Sequence, residues 1–365
     1  MDNDFYGSLF NFIYEKSSSK LILGGTLNKY FGDHFGEVIW ARNAGNSEIR
    51  HRYYDNYGNK EEFNLFAKFQ HTFNDKLYAF VDLQNRNINY DAELIGGNNI
   101  NKSFNFFNPK AGLYYKLNRN NEFYFSFARA HREPTRTDYE NGNPFPEMLD
   151  DFELGWKYKG KKSIYNINLY FMDYNDQLVL TGERDDVGYY IRANVGESYR
   201  AGIEFDGVFF IDDYFTIKPN ITFSSNKNSD YLTQFDGSLR NFGKTDISFS
   251  PNLIFGNSVE YNLNSKTLLF FNTKYVGKQY MSNTNVESSV LASYLVNDLG
   301  LNYNFSIPGF SQDSEFKLLV NNLLNQKYES YGGHYFYDID NKTYSGSYFY
   351  PMAEINFLLG IDFNF

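Results

Sequence analysis

The closing stretch of the chain, Ile355-Asn-Phe-Leu-Leu-Gly-Ile-Asp-Phe-Asn-Phe365, decides the fold. Successive side chains of a strand point to opposite faces. Ile355, Phe357, Leu359, Ile361, Phe363 and Phe365 therefore share one face, and Asn356, Gly360, Asp362 and Asn364 share the other, with Leu358 the one apolar residue out of place. A soluble sandwich strand also alternates, but it seldom fills one face so completely with large apolar groups at a chain end. The stretch reads as a strand with one face toward lipid and the other toward water.

Runs of the same kind recur through the chain. Residues 5–15 and 20–30 read as a hairpin across Lys16–Lys20, followed by a long loop over residues 31–61. Phe63–Phe73 turns at Asn74–Lys76 into Leu77–Leu83, with Phe63, Leu65, Ala67 and Phe69 on one face. Further pairs flank Asn118–Asn121, Lys159–Lys162, Asp212–Asp213, Asn264–Lys266 and a turn holding Pro308 and Gly309, and a second long loop covers residues 326–350. The expectation is an all-β fold, an antiparallel meander of about fifteen strands, most near the ten or so residues that a tilted strand needs to cross a bilayer. Short turns at one end and long loops at the other are the asymmetry of a transmembrane β-barrel. No linker or change of composition divides the chain, so residues 1–365 read as a single domain.

Composition agrees. Aromatic residues make up 20% of the chain, a load that suits pleated surfaces and interfacial girdles. A mean hydropathy of −0.55 does not argue against a membrane, because a barrel strand is apolar only at alternate positions. The net charge of −10, with no block of basic residues, speaks against nucleic acid as a partner. With no cysteine there is no disulfide framework, thiolate metal site or cysteine nucleophile. The five histidines are scattered, so no catalytic constellation, metal site or cofactor is expected, and Asp150, Asp151, Glu183, Asp185 and Asp186 have no EF-hand spacing. The segment Met1-Asp-Asn-Asp-Phe-Tyr lacks the basic and apolar regions of a secretory signal, so an outer-membrane reading expects sequence ahead of it.

Several segments resemble the C-terminal barrel of the TonB-dependent outer-membrane receptors, especially the type common in Bacteroidetes. They are Asn108-Pro-Lys-Ala-Gly-Leu-Tyr114, Phe127-Ala-Arg-Ala-His-Arg-Glu-Pro-Thr-Arg-Thr-Asp-Tyr139, Glu153-Leu-Gly-Trp-Lys-Tyr-Lys-Gly160, Tyr170-Phe-Met-Asp-Tyr-Asn-Asp-Gln-Leu-Val-Leu180, Tyr199-Arg-Ala-Gly-Ile-Glu204, Val320-Asn-Asn-Leu-Leu-Asn-Gln-Lys-Tyr-Glu329 and Tyr350-Pro-Met-Ala-Glu-Ile-Asn-Phe357. The resemblance implies the C-terminal part of a barrel of twenty-two strands plugged by an N-terminal domain, with that plug and about seven strands not represented. It also implies residence in the cell outer membrane, with its lipids and the barrel-assembly machinery as partners. The TonB energy-coupling complex would be met only through the plug.

The chain ending resembles the family's assembly signal at Gly360, Phe363 and Phe365. The expected function is non-enzymatic import of a small scarce nutrient, a ferric siderophore first, with haem, cobalamin or an oligosaccharide behind it. A passive porin and a soluble adhesin or sugar-binding β-protein are the alternatives. Ligand-binding loop candidates are Tyr331, His334, Tyr335 and Tyr337 in the Tyr-rich loop, with His34 and His51 in the earlier one. An odd strand count sets the two terminal strands parallel, so an open sheet rather than a closed barrel is expected of this chain.

Overall fold

The computed structural model describes every residue except Met1, Ala44, residues 95–98, 185–189, Gly237 and residues 364–365. Six strands come first: β1 (Asp2–Lys16), β2 (Ser19–Glu37), β3 (Arg52–Asn74), β4 (Leu77–Glu93), β5 (Asn99–Lys116) and β6 (Asn121–Arg132). A five-residue helix, α1 (Arg136–Glu140), leads to β7 (Glu147–Lys159) and β8 (Ser163–Asn175). The hairpin β9 (Leu178–Arg184) and β10 (Tyr190–Asn194) precedes β11 (Glu197–Phe210) and β12 (Phe215–Asn228). The hairpin β13 (Leu232–Phe235) and β14 (Ser238–Asn241), with the short β15 (Thr245–Asp246), precedes β16 (Leu253–Asn264) and β17 (Thr267–Val276). Then come β18 (Gln279–Tyr280), β19 (Val290–Leu291), β20 (Tyr294–Ile307), β21 (Ser311–Asn321), the hairpin β22 (Glu329–Ile339) and β23 (Lys342–Pro351), and β24 (Asn356–Asp362).

Sixteen of these strands form one antiparallel meander sheet, in the order β1-β2-β3-β4-β5-β6-β7-β8-β11-β12-β16-β17-β20-β21-β24, with β15 beside β12. The order starts at β1 and ends at β24, and no pairing joins these two among the described residues. The sheet is unclosed, as the parity of the strands suggested. Alternate connections are tight turns, and the connections between them carry all the extra hairpins.

Two expectations need correction. The loop set at 31–61 is largely ladder, since β2 runs to Glu37 and β3 starts at Arg52. Gly32, Asp33, His34 and Gly36 hide this part from a pattern search, because beyond the apolar band the strand pairs on without an alternating apolar face. The loop set at 326–350 is the hairpin β22–β23.

The chain divides into two compact units, residues 1–114 with 126–150, and residues 115–125 with 151–365. In the first unit the pairing of β1 to β4 lines up cross-strand rows on the face that carries the exposed apolar side chains. Beginning near the tight turns, the rows are Tyr14, Leu21, Phe69, Val81, then Phe12, Leu23, Ala67, Leu83, then Phe10, Gly25, Leu65, Asn85, then Ser8, Leu27, Phe63, Asn87. The next row, Tyr6, Lys29, Glu61 and Asn89, is polar, and the apolar band ends there. From Phe63 to Phe73 the band covers the span a tilted strand needs to cross a bilayer.

The second unit shows such rows as well. Phe357, Val320, Leu299, Phe271, Val259 and Ile217 are cross-strand neighbours in sequence, as are Leu359, Leu318, Leu301, Leu269, Tyr261 and Phe215. The terminal strand thus takes the face that its alternation predicts.

On the opposite face a glycine repeatedly sits beneath an aromatic ring of the neighbouring strand. Gly24 pairs directly with Phe66, Gly202 with Tyr170 and Gly300 with Phe270. A Cβ on Gly300 would stand 1.9 Å from the Phe270 ring. Phe80 lies in the same way over Gly112, and Tyr124 over Gly155. Gly112, Gly155 and Gly202 are the glycines of three of the segments quoted above, so their presence has a steric cause.

A single sheet has no central core, and buried apolar residues gather instead beneath the connections. Ala92, Leu94, Ile100 and Tyr139 form one cluster under α1, and Val179, Val195 and Tyr231 form another beneath the β9–β10 and β13–β14 hairpins. Burial pushes the Tyr139 phenol up to about 12.

Candidate ligand-binding face

The β22–β23 hairpin has two unlike faces. Its cross-strand pairs are Tyr331 with Tyr350, Gly333 with Tyr348, Tyr335 with Gly346 and Tyr337 with Tyr344, so one face is almost wholly tyrosine. Tyr335 and Tyr337 stack with centroids 6.2 Å apart, Tyr337 and Tyr344 at 5.7 Å, and Tyr331 and Tyr350 at 5.8 Å. Tyr331, Tyr337, Tyr344 and Tyr350 are exposed. Gly346 leaves room for the ring of Tyr335, which a Cβ there would meet at 2.6 Å. The result is an aromatic platform of mostly stacked rings, with Tyr348 edge-on to Tyr350, carried on the ladder beneath it.

The other face is buried around Gly332 and His334, while Asp338, Ser345 and Phe349 on it are exposed. His334 is 1% exposed, so it is not the open loop histidine that the sequence suggested. The reason is register, since His334 lies opposite Ser347 with Gly332 and Gly333 leaving room for close packing. The Ser347 hydroxyl donates its one proton to the Ser288 carbonyl. It therefore accepts from His334 Nδ1 at 2.7 Å, which makes Nδ1 the protonated nitrogen. Nε2 is left as a buried lone pair without a partner. Desolvation holds the imidazole below its ordinary pKa, favouring the neutral ring.

Neighbouring elements fix the hairpin. Asp236 N–H donates to Thr343 Oγ1 at 2.7 Å, and Thr343 N–H donates to Asp236 Oδ1 at 2.8 Å, a reciprocal clamp on the β13–β14 turn. Within the same unit, Asn283 Nδ2 donates to the Leu180 carbonyl at 2.7 Å. Its Oδ1 accepts from Ser248 N–H at 2.9 Å and from Asn228 Nδ2 at 3.3 Å. Asn228 and Asn283 have no exposed surface. Nothing in their spacing marked these amides, because their partners are up to about a hundred residues away and meet only through the topology.

In the first unit the polar end of the sheet is held by charge. Arg86 forks onto Glu62 at 2.7 and 2.9 Å and onto Glu133 at 2.8 and 3.1 Å, and Lys60 also donates to Glu133. Burial alone would raise the Glu133 carboxyl, but hydrogen bonds from Lys60 and Arg86 outweigh it and hold the pKa below 4.5. The charges of the 131–136 segment are therefore paired, though not with one another: Arg132 meets Glu147 at 2.7 Å and Arg136 meets Glu140 at 3.0 Å. Thr135 caps α1 in a reciprocal capping box with Asp138.

His34 lies on β2, and both it and Arg136 reach Gly58. Burial and the Arg136 charge lower its pKa. His51 is exposed, and its carbonyl accepts from Val38 N–H at 3.0 Å. His334 lies on the opposite face of the hairpin from the tyrosine platform, and His34 and His51 belong to the first unit. No group of three or more acidic, His or Cys side chains could hold a metal ion among the described residues. Gly360 is in β24 and Phe363 packs edge-on against Phe305 and Phe310, whereas Phe365 lies outside the described residues. Asp185 and Asp186 also lie outside them.

No curated protein matches the chain in sequence. Solved structures do match in fold. The siderophore receptor PiuA from Acinetobacter baumannii superposes with a TM-score of 0.73 at 15% identity, over 99% of this chain and 56% of that one. The ferric-catecholate import receptor Fiu from E. coli K12, in its closed form, gives 0.67 at 17% identity, over 100% and 55%. The copper transporter OprC gives 0.75 at 12% identity, over 100% and 56%. The chain thus spans about half the length of the solved proteins it matches. Its sequence fits the family described as TonB dependent receptor-like, beta-barrel, across residues 1–323. The antiparallel meander of paired strands agrees with that match, and the chain belongs to the TonB-dependent receptor-like β-barrel family.

Proposed function

We propose that the chain is the C-terminal barrel portion of an outer-membrane receptor that captures a scarce nutrient outside the cell and passes it inward, with ferric siderophores as the cargo class. The observation that carries this reading is the family match over residues 1–323. The siderophore receptor PiuA and the ferric-catecholate import receptor Fiu among the structural neighbours support the cargo class. The apolar rows suit contact with outer-membrane lipid, and the C-terminal Gly360, Phe363 and Phe365 suit recognition by the barrel-assembly machinery. Coupling to TonB would run through a plug domain, which is not present among the described residues.

In this reading the tyrosine platform of β22–β23 is the cargo-contacting surface. Tyrosine offers a large contact area with few rotatable bonds, and the stacked ladder has already restricted those bonds before cargo arrives. His51 is a weaker candidate contact, and His34 is half covered beside Arg136. The test is a full-length receptor carrying Tyr331→Ala, Tyr335→Ala and Tyr337→Ala together, assayed for equilibrium binding of a ferric siderophore and for growth on it under iron limitation. Binding should weaken by about tenfold or more while the folded barrel remains in the outer membrane. Unchanged affinity would remove the platform from the cargo site, and uptake that persists without energy coupling would favour a passive pore.

A further inference from the structure

At the tight-turn end of the second unit, the turns at Asn118–Asn121 and Lys159–Lys162 are tied to each other. Lys159 N–H donates to the Asn120 carbonyl at 2.8 Å, and Asn120 Nδ2 donates to the Lys159 carbonyl at 2.6 Å. Asn118 Oδ1 accepts from the N–H groups of Asn120 and Asn121 at 2.9 and 3.0 Å, which fixes the first turn from within. Beside them lies a pocket of about 350 Å³ lined chiefly by Arg119, Glu122, Lys157, Lys159, Asn166 and Asp206. It belongs to the face of the glycine–aromatic contacts: Asn166 pairs directly with Asp206, and Lys157 Nζ stands 5.1 Å from the ring of Tyr124, which covers Gly155. The opposite face of these strands carries Phe123, Trp156 and the stacked Tyr158 and Tyr165.

The pocket holds charge of both signs that is not used up internally. Arg119, Lys157 and Lys159, with Lys161 and Lys162 on the adjoining turn, are exposed, and none forms an ion pair among the described residues. Among the same residues Glu122 meets only Lys116, at 3.8 Å, and Asp206 accepts only a long bond of 3.4 Å from Asn166 Nδ2. Five such cations on two neighbouring turns set this corner apart in a chain whose net charge is −10. The two carboxylates inside the pocket keep it from being a plain anion site. A ligand complementary to it presents anions to Arg119 and Lys159 and a cation to Glu122 and Asp206, all within a short span.

We infer that this corner docks the peptide stems of the cell-wall peptidoglycan. A stem built around a diamino acid carries free carboxylates, a free amine and peptide amides within one short chain. Its carboxylates match Arg119, Lys157 and Lys159, its amine matches Glu122 and Asp206, and its amides match the side chains of Asn120 and Asn166. Lys161 and Lys162 would meet a neighbouring stem of the mesh. Each contact is exposed and individually weak, so retention depends on many stems presented together. An anionic phospholipid would approach from the face of Trp156, Tyr158 and Tyr165 and would leave Glu122 and Asp206 without a cation. The inference rests on the receptor reading, which sets the tight turns in the periplasm, where that wall lies.

The test is cosedimentation of the full-length receptor, in mild detergent, with purified sacculi whose stems contain diaminopimelate. The receptor should pellet with them at low salt and be released at high salt. Arg119→Gln with Lys159→Gln should lower the bound fraction about fivefold or more while the heat-modifiable barrel stays intact. Glu122→Gln with Asp206→Asn should lower it as well, and so should acetylating the amines of the sacculi; simple attraction of a basic surface to a polyanion predicts a rise in both cases. Should a variant fail to fold, acetylation of the sacculi, tested on the unaltered receptor, decides the matter. Binding that is unchanged in the variants, or that holds or rises on acetylation, would overturn the site. Displacement by added phosphatidylglycerol but not by soluble stem peptide would assign the corner to lipid and overturn it too. A receptor that resides in the outer membrane and takes up its cargo but does not bind sacculi removes this corner alone; absence of the protein from that membrane removes the reading beneath it.

Discussion

At the ends opposite the tight turns, the two units are held in different ways. In the first unit the strands themselves lengthen, β2 to 19 and β3 to 23 residues, and charge ties the following segment down through Lys60, Glu62, Arg86 and Glu133. In the second unit the main strands stay short and separate hairpins are added, joined mostly by amides and hydroxyls such as Asn228, Asn283, Thr343, Ser347 and neutral His334, with the carboxylates of Asp236 and Asp246 among their partners. Charge pairs are strong when both partners stay, and costly when one is removed from a shielded place. Amide and hydroxyl contacts are each weaker but depend on many backbone groups at once. One end should therefore fail at a single carboxylate, and the other by gradual loosening.

Removing Glu133 should give the largest effect. Glu133→Gln leaves Lys60 without its anion and halves the charge around Arg86, with a cost of about 3 kcal/mol in local stability. Hydrogen exchange in the full-length receptor should show faster opening over residues 133–140 and no change in β22–β23. An equal response in both regions would erase the distinction drawn here. Next comes Asn283→Ala, which strands the Leu180 carbonyl and the Ser248 N–H and should cost about 2 kcal/mol. Its exchange signature should spread over β9 and residues 245–250, and it should be insensitive to salt, unlike that of Glu133→Gln.

The smallest effect separates the two ends by pH. His334 has a folded-state pKa below the ordinary 6.5, so its contribution is complete above about that pH and fades as pH falls through the folded value. The Glu133 carboxyl has a folded-state pKa below 4.5, so its contribution persists above about that pH and fades only below it. Acidifying from pH 7.5 to 5.5 should thus lower the protection of the amides at residues 333–336, measured against the base-catalysed exchange of a free peptide at each pH, by a few-fold, up to about tenfold per pH unit at most. His334→Gln should abolish that dependence. Protection that is flat with pH in the parent would show that the buried ring titrates without loosening the hairpin.

Much of the fold was legible because a strand with one apolar face alternates strictly, and Phe63, Leu65, Ala67 and Phe69 could be placed on one face from sequence alone. The strand ends were not legible. Beyond the band, β2 passes through Gly32, Asp33, His34 and Gly36, where pairing continues but no apolar face is required, so the pattern stops before the strand does. The candidate site was half legible. A tyrosine-rich segment could be recognised, yet its folding as a hairpin set Tyr331, Tyr335 and Tyr337 on one face and buried His334 on the other, and that depends on a register no local signal announces. The charge of the segment around Glu133 was legible, but its pairing with Lys60 and Arg86, far away in sequence, was not.

The glycines that lie under aromatic rings have a consequence for how such a sheet is assembled. A slip of one residue between neighbouring strands turns apolar side chains toward water and is rejected on that ground, but a slip of two restores the alternation. Hydrophobicity cannot tell that error from the correct pairing. The fit of Phe270 over Gly300, of Tyr170 over Gly202 and of Phe66 over Gly24 can, because after such a slip each ring would face a residue with a side chain. These contacts act as alignment pins, one to a strand pair, and they identify the correct partner position in a fold whose repeating texture otherwise offers many near-equivalent ones.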